Sequence, residues 1–364
     1  MNRKRFERVM EAMKAAGVQQ VIVSDTMVIY YLTGIKIWAG ERLLALVIRQ
    51  DGKHFAMVNE LVPAGRNFEV EQVWYNDVQD GVAMLAEKLD AKDGDVVGID
   101  KNWPARFLLR LQELVPGARC VNSSDIIDGV RRIKDEDEQR LMIESSEAND
   151  RVMAALVPHL SEMHTELELD AIIRGLYAEQ GCEGVSFPPI ASFEKNAADP
   201  HHEPDGTRGK RGDCIVVDIG GLKNDYCSDM TRTFFLGEVS DRQREIYEVV
   251  REANLRGIAA AKPGNRMCDV DLAARNYIEE KGFGKYFTHR TGHSIGLEDH
   301  EAGDVSSVNE AIIKPGQCFS VEPGIYIAEE GIGVRIEDLV LITEDGCRVL
   351  NSYTKDLTVV PFED

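Results

Sequence analysis

Long apolar runs are missing from this sequence, and no stretch approaches the ~18 consecutive apolar residues that a membrane span needs. Positive charge is scarce as well. Asp and Glu number 63 against 42 Lys and Arg, for a net charge of −21. So acidic a chain has little with which to neutralise phosphates, and nucleic acid is excluded as an expected partner. The one basic cluster, Arg208-Gly-Lys-Arg211, is short and reads as a solvated loop. The seven cysteines (120, 182, 214, 227, 268, 318 and 347) are scattered, odd in number and without a CxxC pair. That excludes a disulfide framework and a zinc knuckle, and it favours a reducing, cytoplasmic setting. There is no GxGxxG, no P-loop and no GxSxG elbow. Nucleotide and serine-hydrolase readings therefore have no motif to stand on.

What is present is an ordinary globular composition, 43% hydrophobic and 29% charged, over 364 residues. That length predicts two domains, each with chain enough for a core. The N-terminus places Phe6, Val9, Met10 and Met13 at i, i+3, i+4 and i+7, which predicts an amphipathic helix rather than a secretory signal. Helix and strand then alternate to about residue 127, giving an α/β domain over 1–127. The Asp128-Gly129 pair marks a boundary. Over 128–364 the pattern predicts an α+β domain. A long helix runs from about Lys134 to Leu160, with acids in its first turn as the helix dipole favours. A second helix covers Glu166–Gln180, and a hairpin covers Asp213–Phe235. Two more helices follow, and the C-terminal part is strand-rich, with one strand expected over Val334–Thr343.

The hairpin carries the chemistry. With a turn centred between Leu222 and Lys223, Asp218 faces Cys227 and Asp229 lies diagonal to it on the same face, at about 7–8 Å. A centre one residue further on puts the two aspartates directly opposite each other. Two same-face carboxylates persist where a cation neutralises them, or where a bulge separates them and leaves both in water. Other candidates lie downstream. Thr291-Gly-His293-Ser-Ile-Gly-Leu-Glu-Asp-His300 presents two imidazoles in a glycine-containing loop. Glu322 ends an apolar strand at Pro-Gly. Glu337 lies in an apolar strand where a charge needs a partner, and Arg335, two residues away, is the simplest one. Asp218, Asp229, His293, Glu322 and Glu337 together are the wrong set for structural zinc. They suit two divalent cations about 3.5–4 Å apart sharing an activated water. Oxygen ligands with one nitrogen favour manganese, cobalt or zinc over copper.

The segments VVDIGG, YCSDMTRTF, TGHSIGLEDHE, VEPGIYI and GVRIED resemble, in order and spacing, the metal-dependent pita-bread peptidases. That family includes prolidase, Xaa-Pro aminopeptidase, methionine aminopeptidase and creatinase. The resemblance covers 128–364, and the N-terminal part with its YLTG segment resembles the creatinase N-terminal-like accessory domain. It implies a pita-bread catalytic domain with Asp218 on one metal, His293 and Glu322 on the other, and Asp229 and Glu337 bridging. It also implies substrate contact by His201, in ADPHH, and stabilisation of the tetrahedral intermediate by His300. Glu322 would take a proton from the water, and Arg335 would orient Glu337. The implied activity is hydrolysis of Xaa-Pro bonds at the N-terminus of short peptides, by a homodimer holding two divalent metals per subunit, manganese first. Two departures stand out. Asp299 replaces the usual Ile or Val before the second histidine, and Asp304 stands where dipeptidases carry an arginine. A lyase or C–N hydrolase of a small non-peptide substrate is the alternative, with specificity set around His201, His202 and Asp304. A binding protein that has lost catalysis is disfavoured, because all five ligand positions are filled.

Overall fold

A computed structural model describes residues 1–161 and 164–362. Contacts divide the chain after Arg131 into two units, Met1–Arg131 and Arg132–Asp364. The first begins with a helix at Arg3–Ala15, capped by the Asn2 side chain, which buries Phe6, Val9 and Met13. Its six-stranded sheet runs Glu71–Tyr75, Phe55–Asn59, Ala45–Arg49, Gln20–Val23, Val96–Ile99 and Arg119–Asn122. Gln20–Val23 is fully buried and short, the pattern of a central strand covered on both faces. The last strand and the Ser124–Arg132 helix are absent from the sequence reading. Arg119-Cys-Val-Asn122 has too few apolar residues to announce itself.

The helices of the second unit start where capping chemistry places them. Asp135 and Glu138 form a capping box on Glu136–Leu160, Thr165 and Glu168 one on Glu166–Glu179, and Ser240 and Gln243 one on Asp241–Ala260. A four-stranded sheet runs Thr358–Val360, Met230–Leu236, Cys214–Ile219 and Ile190–Phe193. A five-stranded sheet runs Glu301–Val305, Gly292–Ser294, Cys318–Val321, Asp338–Ile342 and Cys347–Val349. Gly324–Ile327 and Ile332–Arg335 form a separate antiparallel pair. The first helix pair packs on Cys214–Ile219 and Met230–Leu236 through Met153, Leu156, Ile173, Ile215 and Phe234. The second pair, Asp241–Ala260 and Met267–Glu280, packs through Ile246, Val250, Ala274 and Ile278 against Val334 and Ile336. Both units have the α/β and α+β characters that the sequence predicts. Among the described residues, no helix is long and apolar enough to cross a membrane.

Two local expectations are corrected. The hairpin turns at Asn224-Asp225, two residues beyond the expected centre, and both residues adopt positive φ (50° and 67°). A two-residue turn of that hand matches the twist of the flanking strands, and Asn and Asp tolerate it. Leu222 therefore pairs with Cys227, and Asp218 pairs with Thr231 rather than Cys227. Since Asp229 lies two residues before Thr231, it remains diagonal to Asp218 on the same face. The second correction concerns Val334–Thr343, which is two strands rather than one. Ile332–Arg335 pairs with Gly324–Ile327, whereas Asp338–Ile342 pairs with Cys318–Val321. The break falls at Ile336-Glu337, where the Glu337 amide bonds the Thr231 carbonyl (3.1 Å).

Candidate metal centre

These strand ends converge. Asp218 is the penultimate residue of Cys214–Ile219, and Asp229 immediately precedes Met230–Leu236. Glu322 lies between Cys318–Val321 and Gly324–Ile327, and Glu337 lies at the break just described. The five candidate ligands Asp218, Asp229, His293, Glu322 and Glu337 line one cavity of ≈ 460 Å³, together with His201, His300 and Arg335. Asp304 does not line it; it sits on Glu301–Val305 and accepts from Asn309 Nδ2 at 3.3 Å.

At the centre of this cavity, ligand atoms of Asp229, His293 and Glu337 all lie within 4.8 Å of one another. His293 Nε2 is 3.5 Å from both Asp229 Oδ2 and Glu322 Oε1. Its Nδ1 lies 3.3 Å from the Ser294 carbonyl. A Nδ1–H donated there leaves the Nε2 lone pair facing the carboxylates. Burial lowers the His293 pKa to about 4, so the ring is neutral and ligand-ready at physiological pH. The Ser320 hydroxyl accepts from the His293 amide (3.0 Å) and donates to Glu322 Oε1 (3.2 Å), tying two of the five candidates together.

Arg335 is placed differently from the simplest sequence reading. It pairs with Asp218 Oδ2 (2.6 Å) and donates to Tyr326 Oη (2.9 Å) and Thr231 Oγ1 (3.0 Å). Thr231 in turn donates to Glu337 Oε2 (2.7 Å), so Arg335 reaches Glu337 through this hydroxyl. Tyr326 also bonds His289 Nε2 at 3.0 Å. Thr231, Ser320, Tyr326 and His289 lie outside the sequence-derived set, because their roles depend on pairings between distant strands. The available signals were that Thr231 lies inside the YCSDMTRTF segment and Tyr326 inside VEPGIYI.

One oxygen each of Asp218, Asp229, Glu337 and Asp299 is buried without a hydrogen-bond partner among the described residues. Burial, with Glu337 and Asp218 nearby, drives the Asp229 carboxyl well above its ordinary pKa. Burial, with Glu322 and Asp218, does the same to Glu337. Asp299 is raised to about 7 by burial and then by Asp218 and Glu322. Unpaired buried carboxylates are costly unless a cation joins them. Orphaned oxygens beside one imidazole are the donor set of a divalent cation that takes mixed O and N ligands. The residues fit such a group.

His300 packs edge-on against His293 with ring centroids 4.0 Å apart, and its own side chain is exposed. His201 is exposed on the cavity wall. Its neighbour His202 is held at 2.8 Å by Glu166 Oε2. A second acidic cluster, Glu166, His202 and Asp205, has metal-like spacing. Glu166, however, also accepts from the Phe193 amide (3.0 Å), the Asn196 amide group (3.1 Å) and the Asp205 amide (3.1 Å). Those donors occupy both its oxygens, so this cluster braces the 199–207 loop.

Comparison with known proteins bears on this geometry. The profile of metallopeptidase family M24 matches residues 140–344, and that of the creatinase/prolidase N-terminal domain matches residues 5–133. An uncharacterized peptidase of Staphylococcus aureus (strain MRSA252) is 36% identical over 340 residues, spanning 92% of this chain and 94% of that protein. A dipeptidase from Mycobacterium ulcerans has a TM-score of 0.93 at 31% identity, covering 98% of this chain and 97% of its own. A recombinant prolidase from Thermococcus sibiricus has a TM-score of 0.91 at 31% identity, covering 99% and 98% respectively.

Proposed function

This chain belongs to metallopeptidase family M24, with a creatinase/prolidase N-terminal domain ahead of its pita-bread domain, and from that premise we propose that it cleaves Xaa-Pro bonds at the N-terminus of short peptides. The observation that carries the proposal is the set of unpartnered buried carboxylate oxygens converging beside the neutral imidazole of His293. Asp218, Asp229, His293, Glu322 and Glu337 would hold two divalent cations, with manganese favoured by the oxygen-rich set and cobalt or zinc next. Such cations polarise a scissile carbonyl and lower the pKa of a water.

The chain's own groups supply the rest. Glu322 faces the cavity with one oxygen steadied by Ser320, so it is placed to take a proton from an attacking water. Arg335 holds Asp218 directly and Glu337 through Thr231, which fixes both carboxylates before any substrate arrives. His300, exposed at the cavity and packed edge-on against His293, would donate to the oxygen that gains charge. Phe187, Pro188 and Pro200 form an apolar wall suited to a proline ring.

The test uses an Xaa-Pro dipeptide and an Xaa-Pro-Yaa tripeptide on chelator-stripped protein, before and after adding manganese, cobalt or zinc. Cleavage that returns only with metal supports the proposal. Metal binding without cleavage of either peptide overturns the proline assignment and favours the small-molecule alternative.

A further inference from the structure

Lys134 and Glu301 form an ion pair at 2.8 Å with both side chains buried, and neither lines the cavity. A buried pair of this kind contributes little net stability, because desolvating both charges offsets their attraction. Lys134 also stands immediately ahead of Asp135, the N-cap of Glu136–Leu160, where the helix dipole opposes a cation. What the pair supplies is geometry. The Lys134 amide donates to the Gly316 carbonyl (2.8 Å), and its own carbonyl accepts from Gln139 Nε2 (2.9 Å), so the ammonium projects from a fixed backbone. Glu301 Oε2 meets that ammonium while Oε1 accepts from the Leu297 amide (3.0 Å). One carboxylate therefore closes the 297–301 loop on itself and ties it to the helix start. Residue 296 must be small for this, since a Cβ on Gly296 would lie 2.6 Å from Glu301 Oε1. The Gly296 carbonyl accepts in turn from the Cys227 amide (2.8 Å), two residues ahead of Asp229. His300 lies on the tied loop, directly before Glu301, and it needs such support. Its ring is exposed, makes no hydrogen bond among the described residues and packs edge-on against His293. Asp299 Oδ2, at 3.6 Å from Nε2, is beyond hydrogen-bond range.

We infer that Lys134 and Glu301 are positioning residues for His300: the buried pair sets the backbone from which this imidazole reaches the reacting oxygen. The inference rests on the peptidase reading above and on the role given there to His300. A donor that must meet an oxygen at hydrogen-bond distance tolerates little displacement, and a shift of about 1 Å costs on the order of a hundredfold in rate. The five candidate ligands stand on other segments, so loosening this loop leaves the metal centre in place. A group that acts only on the developing charge is lost from kcat and kcat/KM alike, with KM little changed.

Removing one partner alone strands a buried charge and threatens the fold, so the test uses Lys134→Met together with Glu301→Leu, an apolar pair of similar volume. This double variant is expected to fold and to bind manganese as the wild type does. Its kcat on an Xaa-Pro dipeptide should fall about 10- to 100-fold with KM within about twofold. A second readout needs no turnover: NMR of chelator-stripped protein with labelled histidine rings, the His300 signals assigned with His300→Gln. The wild type should show a ring-to-ring contact between His293 and His300, whose centroids are 4.0 Å apart, and the double variant should lose it. The contact between Phe287 and His289, 5.1 Å apart and outside the tied loop, is the internal control and should persist in both. Loss of the first contact with the second kept supports the inference. Survival of the first, or loss of both together, overturns it, as does an unchanged kcat in an active enzyme. If the wild type cleaves no peptide and the His293–His300 contact still depends on the pair, the positioning stands and the peptidase reading alone fails.

Discussion

Thr231 is the residue through which the site is wired, because its one hydroxyl serves Arg335 as acceptor and Glu337 as donor while fully buried. Thr231→Val keeps the shape and strands both partners, which costs about 1–3 kcal/mol for a buried polar group left unpaired. Metal affinity should fall about 10- to 100-fold, the usual effect of losing a group that supports a ligand, as read by metal titration. Asp299 makes the opposite case. Its folded pKa of about 7 lies above its ordinary value of 3.8, so the protonated form favours the fold. In chelator-stripped protein this contribution is complete below about pH 4 and is lost as pH rises to about 7. Asp299→Asn should flatten that stretch of the stability-versus-pH curve, measured by denaturant melts from pH 4 to 8. An unchanged slope would show that Asp299 ionises freely.

At the scale of elements, the site depends on how closely strands approach. A Cβ on Gly292 would lie 1.9 Å from the Ser320 carbonyl oxygen, a backbone atom that cannot swing away. Gly292→Ala therefore pushes the Gly292–Ser294 strand off Cys318–Val321 and moves His293 away from Glu322. Overpacking of this kind costs about 1–3 kcal/mol, and metal binding should weaken further than the loss of stability alone explains. Thermal melts with and without metal separate the two effects. The hairpin obeys the same logic through its turn. Asp225→Pro demands φ near −65° where the chain has +67°, so it should destabilise by more than about 1 kcal/mol. It should also disturb the Asp218–Thr231 register, seen as loss of bound metal.

Over the whole molecule, a net charge of −21 and a cluster of protonation-prone carboxyls couple metal, proton and fold. A cation that binds only the folded chain stabilises it by about 2.7 kcal/mol at one hundred times its dissociation constant. Manganese added to stripped protein should therefore raise the melting temperature in a concentration-dependent way. Because Asp229, Glu337 and Asp299 are pushed up in pKa, they hold protons that the metal must displace. Calorimetry in buffers of different ionisation heat should show net proton release near pH 6.5, shrinking as pH rises past the carboxyl pKa values. No release at pH 6.5 would mean that the carboxyls are already ionised without metal.

Much of this was legible in sequence, and for local reasons. Capping pairs such as Asp135 with Glu138 and Ser240 with Gln243 lie within one turn, so helix starts can be read directly. The placing of Asp218 and Asp229 on one strand face also needs only the two-residue period and a short turn, which is why it survived an error of two residues in the turn's centre. The break at Ile336-Glu337 was not legible. Whether an apolar stretch continues or changes sheet depends on partners, here Gly324–Ile327 and Cys318–Val321, and not on its own pattern. The pairing of Arg335 with Asp218, 117 positions away, was likewise hidden, because two residues apart on one strand looks nearer than a neighbour brought in by the fold. The sequence by itself thus determined which side chains are ionisable and that Asp218 and Asp229 share one strand face. Tertiary structure alone decided which charges meet and which buried carboxylate oxygens lack a partner among the described residues, because those outcomes depend on distances that chain order does not encode.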